Sequence, residues 1–176
     1  MSEDQRFAST RPDVLVYKGD VLEEELILAG PVEVELYVST TGSDADWVVK
    51  LIDVFPDDAP QHGLSQREIE VGGYQMLVRG DIFRGKYRNS FEYPEPFTPG
   101  EVSRVSFTLP DINHTFKEGH RLMIQVQSSW FPLFDRNPQT FTNIYKCAEE
   151  DFQKANHRIY RSKEHPSNLK LPLINR

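Results

Sequence analysis

A single cysteine, Cys147, stands in a chain of 176 residues. Without a second thiol there is no intramolecular disulfide and no thiolate metal cluster. Nothing beside Cys147 supplies the base and orienting group of a catalytic cysteine, so it reads as a small, partly buried residue. Long apolar runs are missing too: none approaches the roughly 18 residues that cross a bilayer. The opening MSEDQRFAST has no basic stretch followed by an apolar one and shows no secretory leader. A membrane partner is not expected. Basic residues are in deficit, 20 Lys and Arg against 27 Asp and Glu, for a formal net charge of −7. A chain of that sign lacks the electrostatic footprint for phosphate backbones, and nucleic acid is not an expected partner either. The charge is uneven. Glu23 to Glu25, Asp57–Asp58 and Glu149 to Asp151 are acidic, while Arg79, Arg84, Lys86 and Arg88 form a basic stretch. Such runs read as solvated faces or salt-bridge partners.

The motifs of catalysis and cofactor binding are lacking as well. A nucleophilic serine on a strand-to-helix elbow needs Gly-x-Ser-x-Gly, which does not occur. Ser65 follows His62 by three residues in HGLSQRE, a loop stretch, and reads as a polar tip rather than a catalytic pair. The five histidines, His62, His114, His120, His157 and His165, show no HxH or HExxH spacing. His114 and His120 flank one turn and are candidates to meet in space, but a transition-metal site wants a third convergent ligand. Calcium on Asp44, Asp46 or Asp57–Asp58 is a further option. It is weaker than reading these residues as turn formers that bond their own backbone. Gly72–Gly73 precedes a strand without a following phosphate-loop helix and reads as a bend or bulge. No catalytic residue, cofactor or metal is expected.

What is present is strand. PVEVELYVS (31–39) alternates strictly, with Val32, Val34, Leu36 and Val38 on one face and Glu33, Glu35 and Tyr37 on the other. DWVVKLIDVF (46–55) is apolar on both faces except Lys50 and Asp53, which suits the middle of a sheet. Further strands are expected at 13–18, 25–30, 74–83, 101–109, 120–128, 157–162 and 168–174, separated by turn clusters such as TTGSDAD and EYPEPFTPG. Only AEEDFQKA (148–155) has helical character, for about two turns. Short strands with so little helix predict an all-β sandwich, with a jelly roll the favoured wiring. Alternation also places Leu122, Ile124 and Val126 on the same core as the valines of 31–39.

Residues 128–140, SSWFPLFDRNPQT, fit no regular element. Trp130, Phe131 and Phe134 each bury on the order of 200 Å² when covered, worth roughly 10–15 kcal/mol together at ~25 cal/mol per Å². Pro132 and Pro138 stiffen the backbone, so the loop presents a fixed shape. Either it caps its own sandwich, or it meets another protein surface, a second copy included. Asp135 and Arg136 are chain neighbours and are expected to anchor turn backbone groups rather than face each other. A second aromatic segment, FRGKYRNSFEYPEPF (83–97), carries Phe83, Tyr87, Phe91, Tyr93 and Phe97 and favours the interface. A freestanding carbohydrate-binding module is the alternative. In it Trp130, rather than the core-like Trp47, would stack on a sugar.

FKEGHRLMIQVQSSWFPLFDRNPQT (116–140) resembles the C-terminal, non-catalytic domain of the X-Pro dipeptidyl-peptidase and cocaine-esterase group of serine hydrolases. The likeness continues in order through RPDVLVY (11–17), GPVEVELYVSTTGSDADWVVKLIDVFP (30–56), RGDIFRGKYRNS (79–90) and YRSKEHPSNLKLPLI (160–174). EDQRFAST (3–10), in a lead-in segment 1–12, is most similar to α-amino-acid ester hydrolases and glutaryl-cephalosporanic-acid acylases. The resemblance implies one galactose-binding-like jelly roll over 1–176, whose usual companions, an α/β-hydrolase domain and its cap, are absent. It implies an inactive accessory domain of a serine hydrolase acting on ester, amide or X-Pro bonds through an acyl-enzyme. The expected roles are stability, oligomer contacts and substrate access. The expected partner is that catalytic domain, met by Trp130, Phe131, Phe134, Asp135, Arg136, Phe83 and Tyr87.

Overall fold

A computed structural model describes residues 4–60 and 71–174. Eight strands run in chain order as β1 (Val14–Val21), β2 (Leu26–Thr40), β3 (Asp46–Val54), β4 (Gln75–Arg84), β5 (Ser103–Phe116), β6 (Arg121–Gln127), β7 (His157–Tyr160) and β8 (Asn168–Lys170). They form two antiparallel sheets, one in the order β1-β6-β3-β4 and the other β5-β2-β7, with β8 also on β2. Only the steps from β3 to β4 and from β7 to β8 stay within a sheet; at the others the chain crosses over, as in a jelly roll. Among the described residues no helix is long and apolar enough to cross a membrane.

The expected parities hold. Val32, Val34, Leu36 and Val38 are buried in the main core with Val126, and Leu122 and Ile124 pack against it. Glu33 and Glu35 face outward, where they pair with Lys170 and Arg104. One sheet therefore has a wet face. In the other sheet the central strand is covered on both faces, since every residue of β3 is buried, while the edge strand β1 is mostly exposed. Trp47, Val49 and Leu51 join the main core, while Ile52 and Val54 join Met123 and Leu77 in a second cluster on the far side. The lead-in segment helps cover that far side, with Gln5 and Ala8 buried.

Three elements differ from expectation. The strands expected at 25–30 and 31–39 are one strand, because Gly30 (φ 127°) lets the chain continue through an irregularity. There Gly30 pairs with Ile112 and Val32 with Leu109, so β5 carries an extra residue beside Pro110 and runs on to Phe116. A bulge is where a proline without an N–H fits a ladder. The two-turn helix expected at 148–155 is a single 3-10 turn, Glu149–Asp151, and a short helix α1 (Arg6–Ser9) stands in the lead-in segment instead.

Candidate interaction surface

β6 ends at Gln127 and delivers the chain straight into the aromatic loop. Trp130 turns back onto its own sandwich and is only 6 % exposed. Its carbonyl accepts the N–H groups of Leu133 and Phe134 at 2.9 and 3.2 Å, which closes the turn. Its indole lies over β4 where Gly80 stands; a Cβ there would come within 3.0 Å of the ring. Across the ladder from Gly80 is Lys50, whose Nζ sits 4.9 Å from the indole centroid. Lys50 is 1 % exposed and donates to Gln5 Oε1 at 2.9 Å and Gln127 Oε1 at 3.3 Å. Burial, aided by the charge of Arg11, brings its pKa down to about 8.

The far end of the loop is tied by polar groups. Asn137, buried, donates to Asp46 Oδ1 at 2.8 Å and accepts the N–H of Gln139 at 2.8 Å. Gln139 takes a left-handed φ of 66°, and its carbonyl accepts the N–H groups of Ser43 and Asp44. Arg84 donates to the other oxygen of Asp46 at 2.8 Å. Lys86 reaches Asp44 at 3.4 Å and the Thr142 carbonyl at 3.0 Å. Burial pushes the Asp46 carboxyl up to about 6 against the pull of Asn137 and Arg84, and burial also raises Asp44. The segments TGSDAD, FRGKY and NPQT thus converge on one buried ionic knot. Asp44 also accepts the Ala45 N–H through Oδ1 at 2.8 Å, the local backbone bond expected of a turn residue, while Arg84 and Lys86 are held against Asp46 and Asp44.

The expected contact residues separate into buried and exposed. Trp130 is a plug of its own sandwich, because the gap over Gly80 accepts its ring; it presents no open face. Phe134 is half-buried, 6.0 Å from the Trp130 ring. Phe83 and Tyr87 are also half-buried, Phe83 stacked on Phe107 at 5.1 Å. Phe97 is buried beneath Arg88. Phe131 at 58 % and Phe91 at 82 % are exposed, and so are Leu133, Tyr93, Phe141, Tyr145 and Phe152. Asp135 and Arg136 are exposed and do not anchor the turn; Asn137 does. Tyr87 and Pro94 face Phe141 and Tyr145 across a groove of about 450 Å³. Phe141 and Tyr145 were not anticipated, since they follow neither a strand nor a helix period, and Phe152 was assigned to a helix that does not form.

His114 and His120 do meet, on one carboxylate. Asp53, 1 % exposed, bonds His114 Nε2 at 2.9 Å and His120 Nδ1 at 2.8 Å. The three side chains join β3 to β5 and the start of β6, so they clasp the sheets together. Among the described residues no group of three or more His, Cys, Asp or Glu is placed to hold a metal ion. Cys147 is partly buried and donates to the Ile144 carbonyl. His62 and Ser65 lie outside the described residues.

The sequence profile of the X-Pro dipeptidyl-peptidase C-terminal non-catalytic domain matches residues 2–170. The chain belongs to that family. The domain is 36 % identical over 173 residues to the cocaine esterase of Rhodococcus sp. (strain MB1 Bresler), covering 98 % of this chain and 28 % of the esterase. Among solved structures it superposes on an aminopeptidase from a marine sediment archaeon, Thaumarchaeota archaeon, with a TM-score of 0.92 and 46 % identity, over 99 % of this chain and 28 % of the other. An α-amino acid ester hydrolase gives a TM-score of 0.90 and 49 % identity, over 98 % and 27 %. The domain therefore spans little more than a quarter of these relatives. It corresponds to their C-terminal non-catalytic part, which sits in one polypeptide with a catalytic domain. The profile match encloses the ionic knot, the Trp130 plug and the exposed rings alike.

Proposed function

We propose that this domain packs on the α/β-hydrolase catalytic domain of a serine acyl hydrolase, stabilises it, contributes to oligomer contacts and shapes access to its active site. The parent activity is hydrolysis of an ester or amide through an acyl-enzyme, with α-amino acyl substrates favoured by the likeness to the α-amino acid ester hydrolase. One observation carries the reading: a loop fixed at both ends by buried groups holds Phe131 and Leu133 more than half exposed. With Phe152 they leave on the order of 300 Å² of apolar side chain in water, the size of a functional patch on a soluble protein. A sugar-binding module finds less support, because Trp130 offers no open ring face to a pyranose.

A chimera tests this. The present chain replaces the matching quarter of the α-amino acid ester hydrolase, to which it is 49 % identical. The chimera is expected to be soluble and to hydrolyse amino-acid esters, and Phe131→Asp to lower its thermal half-life several-fold. The chain alone is expected to show no turnover of aminoacyl esters, β-lactam amides or X-Pro peptides. Turnover by the chain alone, or a chimera indifferent to Phe131→Asp, overturns the reading.

A further inference from the structure

Arg136 is exposed, and its guanidinium carbon lies 5.6 Å from the Phe131 centroid and 5.1 Å from that of Phe152. One ring from the loop itself and one from beyond it thus hold one cation. Among the described residues no carboxylate pairs with it. Its neighbour Asp135 does not. Nor does the acidic run beside Phe152, where the Asp151 carboxylate accepts the Ala148 N–H instead. An unpaired arginine in water costs little and normally samples many rotamers. A cation held over aromatic faces is attracted by the rings and loses much of that rotamer freedom. The contact leaves the N–H edge free, since stacking uses only the flat faces.

We propose that Phe131, Arg136 and Phe152 form a pre-stacked clamp that takes a carboxylate of the catalytic domain, an Asp or Glu set in apolar surroundings. The proposal rests on the docking reading and names the chemistry of the contact. Three features favour a carboxylate over a neutral acceptor. The planar fork matches two carboxylate oxygens, giving paired charge-assisted hydrogen bonds. The flanking Phe131 and Leu133 exclude water when covered, which strengthens such a pair. Because the guanidinium is already oriented, little rotamer freedom remains to be lost on docking. Arginine ringed by aromatics is also the composition of an interface hot spot.

The test uses the chimera and the unmodified chain side by side. In the chimera, Arg136→Gln is expected to shorten the thermal half-life of the esterase activity about tenfold. Arg136→Lys, which keeps the charge but not the fork, is expected to fall between Gln and wild type. Lys170→Gln, at an exposed pair remote from the loop, is expected to change nothing. In the chain alone, Arg136→Gln is expected to lower the urea midpoint only slightly, through loss of the two ring contacts, because among the described residues Arg136 makes no hydrogen bond. Equal losses in chain and chimera would show a role confined to the loop and overturn the clamp. If Phe131→Asp destabilises the chimera while Arg136→Gln is silent, docking stands and the clamp falls. If both are silent, or the wild-type chimera is insoluble, the docking reading fails and takes the clamp with it.

Discussion

Lys50 is a cation at the centre of a sheet with two amide oxygens and an indole ring around it and, among the described residues, no carboxylate. Its pKa falls from the ordinary 10.5 to about 8 because burial penalises the charged form. The consequence for stability has a definite sign. Between pH 8 and 10.5 the unfolded chain still holds the lysine proton and the folded chain has released it. The unfolded state therefore binds more protons, and stability rises with pH through that window. At about 1.4 kcal/mol per tenfold change in proton affinity, the rise is about 3 kcal/mol in all. Every other titrating group acts equally in a variant that lacks only the amine.

The assay is the difference between wild type and Lys50→Met in urea unfolding from pH 7 to 10.5, followed by tryptophan fluorescence. Methionine fills the stem's volume and removes the hydrogen bonds that Lys50 donates to the Gln5 and Gln127 amide oxygens, at a cost of about 1–3 kcal/mol each. That cost does not change with pH. The wild type should therefore gain on the variant by about 3 kcal/mol as the pH is raised, whatever the offset at neutrality. Parallel stability curves would refute the argument, and would mean that Lys50 keeps its charge through the protein's own polar groups.

Asp46 works in the opposite sense: with its pKa raised from 3.8 to about 6, its contribution is fully present below pH 3.8 and is lost as the pH rises through about 6. That loss is about 3 kcal/mol, and wild type compared with Asp46→Asn from pH 3.5 to 7 should show it. Gly80→Ala puts a methyl 3.0 Å from the Trp130 ring and 3.2 Å from the Val49 carbonyl; it should cost about 1–3 kcal/mol and shift Trp130 fluorescence. The same change at Gly100, where nothing stands within 4 Å but φ is 83°, should act through backbone strain alone and leave the fluorescence in place. Sedimentation equilibrium of the chain alone should show concentration-dependent self-association that Phe131→Asp reduces, and an ideal monomer to millimolar concentration would exclude oligomer contacts through this loop.

Where a residue's fate depends on its near neighbours in sequence, reading the chain was enough. The alternation of 31–39 determined which valines are buried, and the two-sided apolar run of 46–55 marked the central strand. The parts that escaped depend on partners far away. Trp130 looks like any loop aromatic until Gly80, fifty residues earlier, is seen to clear a space for it. Asp44 and Asp46 look like turn residues because their cations, Lys86 and Arg84, arrive from the next strand and a 3-10 turn. His114 and His120 were paired by spacing, but the carboxylate that joins them, Asp53, stands 61 residues from one and 67 from the other. The bulge at Gly30 and Pro110 was read as two strand ends, since glycine and proline punctuate strands more often than they bend them.

The buried charges bear on what the loop is for. Replacing a buried ion pair by apolar packing of similar volume is often neutral or stabilising, so a loop that only capped its sandwich would be served as well by leucines. Here the charged residues Lys50, Asp46 and Asp44 gather beneath one irregular loop, with Asn137 and the Trp130 plug, at the points where that loop leaves and rejoins the sandwich. What such groups supply that an apolar cap does not is direction: each hydrogen bond fixes an orientation, whereas dispersion contacts tolerate sliding. A fixed orientation has value only if something at the tip must be aimed. At the tip stand Phe131, Leu133 and Arg136, exposed and without a covering element of their own. Holding them still in the free domain lowers the entropy lost when a partner closes over them. On the docking reading proposed above, the polar foundation and the apolar tip are two halves of one arrangement, in which the cost of burying charge is offset by a surface that meets its partner already shaped.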